Sequence, residues 1–171
     1  MKTKLFAVCA LVLLLGAPVF AQQIYVNSSP TANFSQYHTY AWGQGPNPNQ
    51  IQSSFLAQEA KSQVDAQLQG KGMKLVQESE NPDLVVIGSG GLKQQTSYNA
   101  WGTGGLRFGG GMGTITPETN VIGTLIIDIY DAKAKQLVWR GMASDTLNET
   151  NSAKNNKMVD KAVQKMFKKY P

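Results

Sequence analysis

The stretch VIGTLIIDIYDAKAKQLVWRGMASDTL, residues Val121–Leu147, decides the fold. Two runs rich in β-branched and aromatic residues flank a polar segment, Asp131–Gln136, and this arrangement predicts a long β-hairpin. Apolar and polar residues alternate along both runs, so each strand presents one apolar face. We centre the turn on Ala134, which fixes the register of the two strands.

This register brings small and large apolar residues together on one face of the hairpin. The predicted pairs on that face are Ile129 with Trp139, Ile127 with Gly141, and Leu125 with Ala143. On the other face the register predicts an Asp128–Arg140 ion pair, Thr124 opposite Ser144, and Ile126 opposite Met142. A slip of one residue would turn the apolar set to the wrong face, so the register is strongly specified. We expect Trp139, Leu125 and Ile127 to lie under helices.

The rest of the chain predicts a single α+β domain. Apolar residues at helical spacing indicate two amphipathic helices, at Gln50–Gly70 and Ala153–Tyr170. Further strands are predicted at Ile24–Val26, Thr39–Gly43, Met73–Gln77 and Asp83–Gly88. We expect a two-layer sandwich in which a mixed or antiparallel sheet, including the long hairpin in the C-terminal half, carries both helices on one face.

A glycine-rich segment, about 89–119, separates the last of these strands from the hairpin. Its run GGLRFGGGMG is unsuited to a helix, because each glycine costs about 1 kcal/mol there relative to alanine. We expect a long loop or a flexible hairpin tip. A long loop in a compact domain is usually either functional or disordered.

The first 21 residues have the features of a cleaved signal peptide. Lys2 and Lys4 form a basic start, Leu5–Leu15 is apolar but short for a membrane span, and cleavage is predicted after Ala21. The one cysteine, Cys9, lacks the preceding small residue and long apolar run of a lipoprotein signal. The mature chain, residues 22–171, would be one domain in the periplasm or outside the cell, with no transmembrane segment.

Composition excludes several classes of function. Cys9 is the sole cysteine, so the mature chain has no thiol for catalysis or for a metal site. The net charge is +5, and loss of Lys2 and Lys4 lowers it by two to +3, which is too weak to indicate nucleic acid binding. His38 is the only histidine, which argues against a catalytic triad or a histidine-rich zinc site. We expect no cofactor and no metal.

Two further motifs have weak support as reactive sites. Ile87–Gly91 follows a strand as a phosphate-binding turn would, but no helix begins after it. A carboxylate pair for glycosidase-like hydrolysis stays possible. However, Asp128 already has a predicted partner, Asp131 lies in a turn, and Asp145 and Glu149 precede a helix, where acids are favourable.

The best candidates for binding lie in the glycine-rich segment. They are three aromatic residues and one arginine: Tyr98, Trp101, Phe108 and Arg107. Aromatic side chains in an exported loop stack on sugar rings or dock on a partner, and arginine clamps an anion. Alternatively, these aromatic side chains fold back onto the sheet.

A second candidate surface is the lysine face of the last helix. Five lysines recur there at helical spacing: Lys154, Lys157, Lys161, Lys165 and Lys168. Such a face contacts anionic lipid or an acidic polymer. The alternative is a solvated helix face opposite the core.

Five segments in this order give the chain a family resemblance: NFSQYHTYAWG, VDAQLQGKGMKL, NPDLVVIGSGG, the hairpin itself and NKMVDKAVQKMFKKYP. Together they resemble the bacterial envelope family named domain of unknown function 4136. The resemblance implies a lipoprotein or secreted protein with no assigned activity, and it supplies no catalytic residues. This chain departs from the lipoprotein members because it lacks their acylation motif.

These features favour an exported, non-catalytic binding or scaffolding module that contacts an unidentified envelope component. Two alternatives remain: a carboxylate-based, glycosidase-like hydrolase, and a peripheral protein that contacts an anionic membrane surface through the lysine face.

Overall fold

A computed structural model describes residues 22–45, 55–101 and 114–171. In chain order its strands and helices are β1 (Gln23–Ser28), β2 (Thr39–Trp42), α1 (Phe55–Gly70), β3 (Lys74–Leu75), β4 (Leu84–Trp101), β5 (Thr114–Asp131), β6 (Gln136–Thr146) and α2 (Ser152–Phe167). Short 3-10 turns lie at Phe34–Gln36 and Glu78–Glu80. The predicted signal peptide lies outside the described residues.

The strands form one six-stranded sheet in the order β1-β6-β5-β4-β2-β3. Strand β2 is parallel to both β3 and β4, and the other neighbours are antiparallel, so the sheet is mixed. The predicted hairpin is β5–β6, and its predicted register is confirmed from Leu125 opposite Ala143 to Ile129 opposite Trp139. A register shift follows Ile129, where the strands approach the turn.

Both helices pack on one face of this sheet. Trp139 is fully buried there, with its ring centroid 4.9 Å from that of Phe167 on α2, whereas Arg140 is exposed on the opposite face. Val64 and Leu68 of α1 belong to the same hydrophobic core. The predicted α+β class and the placement of the helices are therefore confirmed.

The two helices run in the same direction. Near their N-terminal ends, Leu56 of α1 and Asn155 of α2 line a common cavity. At the C-terminal ends the Lys71 ammonium donates to the Tyr170 carbonyl at 3.1 Å. Each helix follows a strand that ends at the same side of the sheet, so both begin at that side.

The prediction of a loop at about 89–119 is wrong for the described parts of that segment. Residues 89–101 continue β4, and residues 114–119 begin β5, with Gly90 paired to Leu125 and Trp101 to Thr114. The polar residues form strands because alternate residue pairs of β4 and β5 exchange backbone hydrogen bonds, and these bonds do not require apolar side chains. The glycines Gly88, Gly90 and Gly91 are tolerated in an antiparallel strand.

Smaller differences concern the ends of the elements. The strand predicted at Met73–Gln77 is only Lys74–Leu75, because the Glu78–Glu80 turn follows at once. The last helix ends at Phe167 and is capped by Asn151, whose side chain accepts from the Lys154 amide at 2.9 Å. The acids before this helix are therefore not its cap.

Candidate functional site

Strands β4 and β5 extend beyond the rest of the sheet as a two-stranded arm. We call this arm the ribbon and define it as Gln94–Trp101 paired with Thr114–Val121. Strand β6 pairs with β5 only from Ile122 onward, and β2 pairs with β4 only as far as Val86. Among the described residues, the ribbon therefore has no third strand on either side.

Few interactions hold the ribbon beyond its backbone ladder. The Thr96 and Thr119 hydroxyls lie 3.3 Å apart across the strands, and the Ser97 hydroxyl donates to the Glu118 carbonyl at 3.3 Å. None of the ribbon residues whose side chains the structure describes belongs to the hydrophobic core. The exposed Tyr98 ring is thus accessible to a partner, unlike the buried side chains of the hairpin.

The predicted binding residues are only partly described by the structure. Tyr98 lies on β4 opposite Pro117 and is 72% exposed. Trp101 is the last described residue of β4, so both aromatic residues belong to the outer half of the ribbon. Arg107 and Phe108 lie outside the described residues.

The lysine face of α2 is solvent-exposed along its length. All five of its predicted members are exposed: Lys154, Lys157, Lys161, Lys165 and Lys168. Within the described part of the chain none of them makes an ion pair. The opposite side of α2 carries Val163 and Phe167 into the core.

The Asp128 carboxylate is fully committed to Arg140. The Arg140 Nε and Nη2 atoms donate to its two oxygens at 2.6 and 2.7 Å, which is the fork geometry that arginine and carboxylate favour. Asp128 is buried, while the Arg140 side chain is about half exposed at 49%. The predicted pair therefore joins β5 to β6.

Two further aspartates anchor loops. The Asp83 Oδ2 atom accepts from the His38 amide, the Thr39 amide and the Thr39 hydroxyl at 2.8–2.9 Å. These bonds, first of all that from His38, lower the pKa of Asp83. Asp131 accepts from the Ala134 amide, the main cause of its own lowered pKa, and from the Tyr37 hydroxyl at 2.9 Å.

One pair of carboxyl groups interacts across the two helices: Glu59 of α1 and Asp160 of α2. Burial is the main cause that raises the pKa of Asp160, followed by the interaction with the Glu59 carboxyl group.

The described residues contain no cluster suited to a metal ion. No group of three or more histidine, cysteine, aspartate or glutamate side chains in residues 22–45, 55–101 and 114–171 is placed to hold a metal ion. Asp83, Asp128 and Asp131 each stabilise local structure through the bonds above.

An apolar cavity of about 170 Å³ lies where the two helices begin above the sheet. Its walls include Leu56, Leu92, Leu125, Leu147 and Val159. An apolar cavity of about 150 Å³ in another protein is known to hold benzene, so this one has room for a small apolar group.

The polar groups at the edge of this cavity bond one another. The Asn155 side chain accepts from the Asn148 amide and donates to its carbonyl, both at 2.8 Å, and Gln22 donates to the Met158 carbonyl at 3.2 Å. The sequence pattern does not reveal this cavity, because Leu92 lies in the segment predicted to be a loop. Extending β4 by four residues would have placed Leu92 opposite Gly123 on the helix-bearing face.

No helix of the described residues is both long and apolar enough to cross a membrane. The model of the family described as Domain of unknown function (DUF4136) matches residues 24–171. No protein of curated function matches the sequence.

Solved structures share the fold at low sequence identity. A DUF4136 family protein (BT2437) from Bacteroides thetaiotaomicron VPI-5482 is 19% identical, with a TM-score of 0.53 over 88% of this chain and 96% of that one. A PelC dodecamer variant from Paraburkholderia phytofirmans is 12% identical, with a TM-score of 0.51 over 84% and 95%.

A PDZ domain protein from Parabacteroides distasonis ATCC 8503 is 15% identical, with a TM-score of 0.56 over 88% of this chain. The present chain spans only 36% of that protein. At these identities the likenesses concern the fold alone.

Proposed function

The chain belongs to the family described as Domain of unknown function (DUF4136), and on that premise we propose that it is a non-catalytic binding or scaffolding module of the bacterial cell envelope. Its partner is another envelope component, bound through the segment from Tyr98 to Phe108, which begins in the outer part of the ribbon. The protein acts in the periplasm or outside the cell after cleavage at Ala21.

One observation carries this proposal: the ribbon extends beyond the other strands of the sheet, and none of its described side chains belongs to the core. A two-stranded ribbon has little stability of its own in water, and an exposed aromatic residue such as Tyr98 adds contact area for a partner. A short turn between β4 and β5 would connect the body equally well. A binding role gives a physical reason for the additional length.

The decisive variant removes the ribbon without disturbing the body. Gln95 lies directly opposite Asn120, so an Asn-Gly turn that joins them replaces residues 96–119 and closes the strands as a two-residue hairpin. We expect the tagged, shortened protein to fold and to lose the partners that the intact protein captures from envelope extract. Capture of every partner by the folded, shortened protein would refute the proposal.

A point substitution then tests the aromatic contact. We expect Tyr98→Ala to weaken capture of the same partner at least severalfold, because the exposed ring is removed while the backbone ladder is kept. Tyr25→Ala is the matched control, since Tyr25 is also exposed, at 62%, but lies on β1 at the far side of the sheet. Equal loss in both variants would indicate a general effect and not a contact at Tyr98.

Intact mass of the exported protein tests the proposed location. We expect the mass of residues 22–171 without a lipid. A mass that keeps residues 1–21, or that includes acyl chains, would contradict the proposed processing.

The exposure of all five lysines favours a second function, peripheral contact with anionic membrane. On this proposal the protein sediments with phosphatidylglycerol vesicles at low salt and is released at high salt, because surface charges are screened. The double variant Lys157→Glu, Lys161→Glu would abolish sedimentation. The matched variant Lys74→Glu, Lys133→Glu changes the net charge equally at sites away from α2. Equal loss in both would indicate a dependence on net charge alone.

A further inference from the structure

The two outer edges of the ribbon differ in their capacity to accept another strand. The β5 edge carries Pro117, which has no amide hydrogen, and beside it the charged residue Glu118. Proline and charge on an edge are devices by which natural sheets prevent pairing with other chains. Strand β4 has no proline, and Lys93 is its only charged residue between Leu84 and Trp101.

The β4 edge is also free over a useful length. Strand β2 and the following Gly43 amide, which donates to the Val86 carbonyl at 2.9 Å, cover β4 only near its start. From Leu92 to Ala100 no described residue pairs with the outer edge of β4. The side chains of Leu92 and Tyr98 in this segment are more than 70% exposed.

We propose that this edge pairs with β4 of a second copy of the chain, antiparallel and about a two-fold axis at Thr96. The resulting dimer has a four-stranded ribbon in the order β5, β4, β4 of the second copy and β5 of the second copy. This inference goes beyond the proposed function and does not depend on which component the outer part of the ribbon binds.

The sequence of the edge is self-complementary in this arrangement. A two-fold axis at Thr96 places Lys93 opposite Asn99, so the one cation of the segment does not meet its equivalent. It also places Gln94 opposite Tyr98 and Thr96 opposite Thr96. Threonine pairs across strands are favourable, and the same residue already lies hydroxyl to hydroxyl with Thr119 inside the ribbon.

Pairing also gives the ribbon additional ladders of backbone hydrogen bonds. With only two strands it has a single ladder of backbone hydrogen bonds, whereas a four-stranded ribbon has three, and larger sheets are more stable than an isolated hairpin. The interface is the same patch on both copies, as two-fold symmetry requires. It is a strand-addition interface, in which main-chain bonds provide the attraction.

Charge substitution at the axis tests this pairing. Thr96→Lys or Thr96→Glu places like charges opposite each other, and like charges directly across a ladder are unfavourable. By sedimentation velocity over a range of concentrations, we expect the unmodified protein to dimerise. We expect each variant to dimerise at least tenfold more weakly, and an equimolar mixture of the two variants to recover the dimer.

Thr119→Lys is the matched control, because Thr119 is the cross-strand partner of Thr96 on the same face but lies on the proline-bearing strand. We expect it to dimerise like the unmodified protein. The proposal is overturned if the unmodified protein stays monomeric at all concentrations, if Thr119→Lys weakens the dimer as much as Thr96→Lys, or if the mixture does not recover. Loss of partner capture with an intact dimer would bear on the proposed function alone.

Discussion

At the scale of single residues, Gly141 and Trp139 show how closely two positions on one strand are fitted. A Cβ atom at Gly141 would lie 2.5 Å from the Trp139 ring and 2.8 Å from the Met166 sulfur. The sequence predicted this fit, since the register set a large Trp side chain among small residues. Trp139 Nε1 is buried without a hydrogen-bond partner, a detail that no sequence pattern signals.

Gly141→Ala should therefore be strongly destabilising. We expect it to lower the free energy of unfolding by about 1–3 kcal/mol, the usual cost of overpacking a core. The matched control is Gly91→Ala, also in a strand, where an added Cβ meets nothing within 4 Å. That substitution should be neutral or stabilise by up to about 1 kcal/mol, since glycine is unfavourable in strands. Urea denaturation of both variants measures the difference, and equal effects would show that the predicted clash is absent.

Asp83 is a second residue whose role is defined by its contacts. Asp83→Ala leaves the His38 and Thr39 amides and the Thr39 hydroxyl without their acceptor. We expect a loss of about 1–3 kcal/mol in the free energy of unfolding, as for other groups left without a partner. Glu78→Ala, at a nearby exposed acid, is the control. Thermal or urea denaturation that shows similar losses for both would contradict an anchoring role.

At the scale of elements, the hairpin and the helices were predictable because each has one apolar face. The alternation in β5–β6 and the helical spacing in α1 and α2 both arise from burial on one side. The described side chains of the ribbon are exposed or half-buried on both of its faces, so burial imposes no such alternation on its sequence. Glycine and polar residues there were consistent with a loop, and only the ladder with Thr114–Val121 reveals strands.

The ribbon should be dispensable for the stability of the body. We expect the variant that joins Gln95 to Asn120 through Asn-Gly to keep its free energy of unfolding to within about 1 kcal/mol of that of the unmodified protein, because none of the removed residues whose side chains the structure describes belongs to the core. Circular dichroism and urea titration test this. Unfolding of the shortened protein would mean that the ribbon supports the body.

At the scale of the whole molecule, the pH dependence of stability reflects acidic side chains whose pKa values are shifted in opposite directions by folding. The lowered pKa values of Asp83 and Asp131 contribute stability above the ordinary value of 3.8, and that stability is lost as pH falls through their folded values. The raised pKa of Asp160 has the opposite effect on stability. Its stabilising contribution is fully present below pH 3.8 and is lost as the pH rises through the pKa of the folded state.

We therefore expect Asp160→Asn to stabilise the protein at neutral pH. We also expect the variant to gain less stability than the unmodified protein when the pH is lowered from neutrality toward 3.8. The amide removes the repulsion from Glu59 while keeping the shape of the side chain. Thermal denaturation across this pH range checks the result. The control is Asp145→Asn, because Asp145 does not lie between the helices. Identical pH profiles of stability for the unmodified and Asp160→Asn proteins would contradict the prediction.

The position of β1 in the sheet has a consequence for the order of folding. Strand β1 comes at the start of the described chain, yet its only strand neighbour is β6, near the other end. Contacts so distant in sequence form slowly. Because synthesis begins at the N-terminus, Gln23–Ser28 stays unpaired until Gln136–Thr146 has been made. During that interval the unpaired segment is accessible to a chaperone and prone to aggregation.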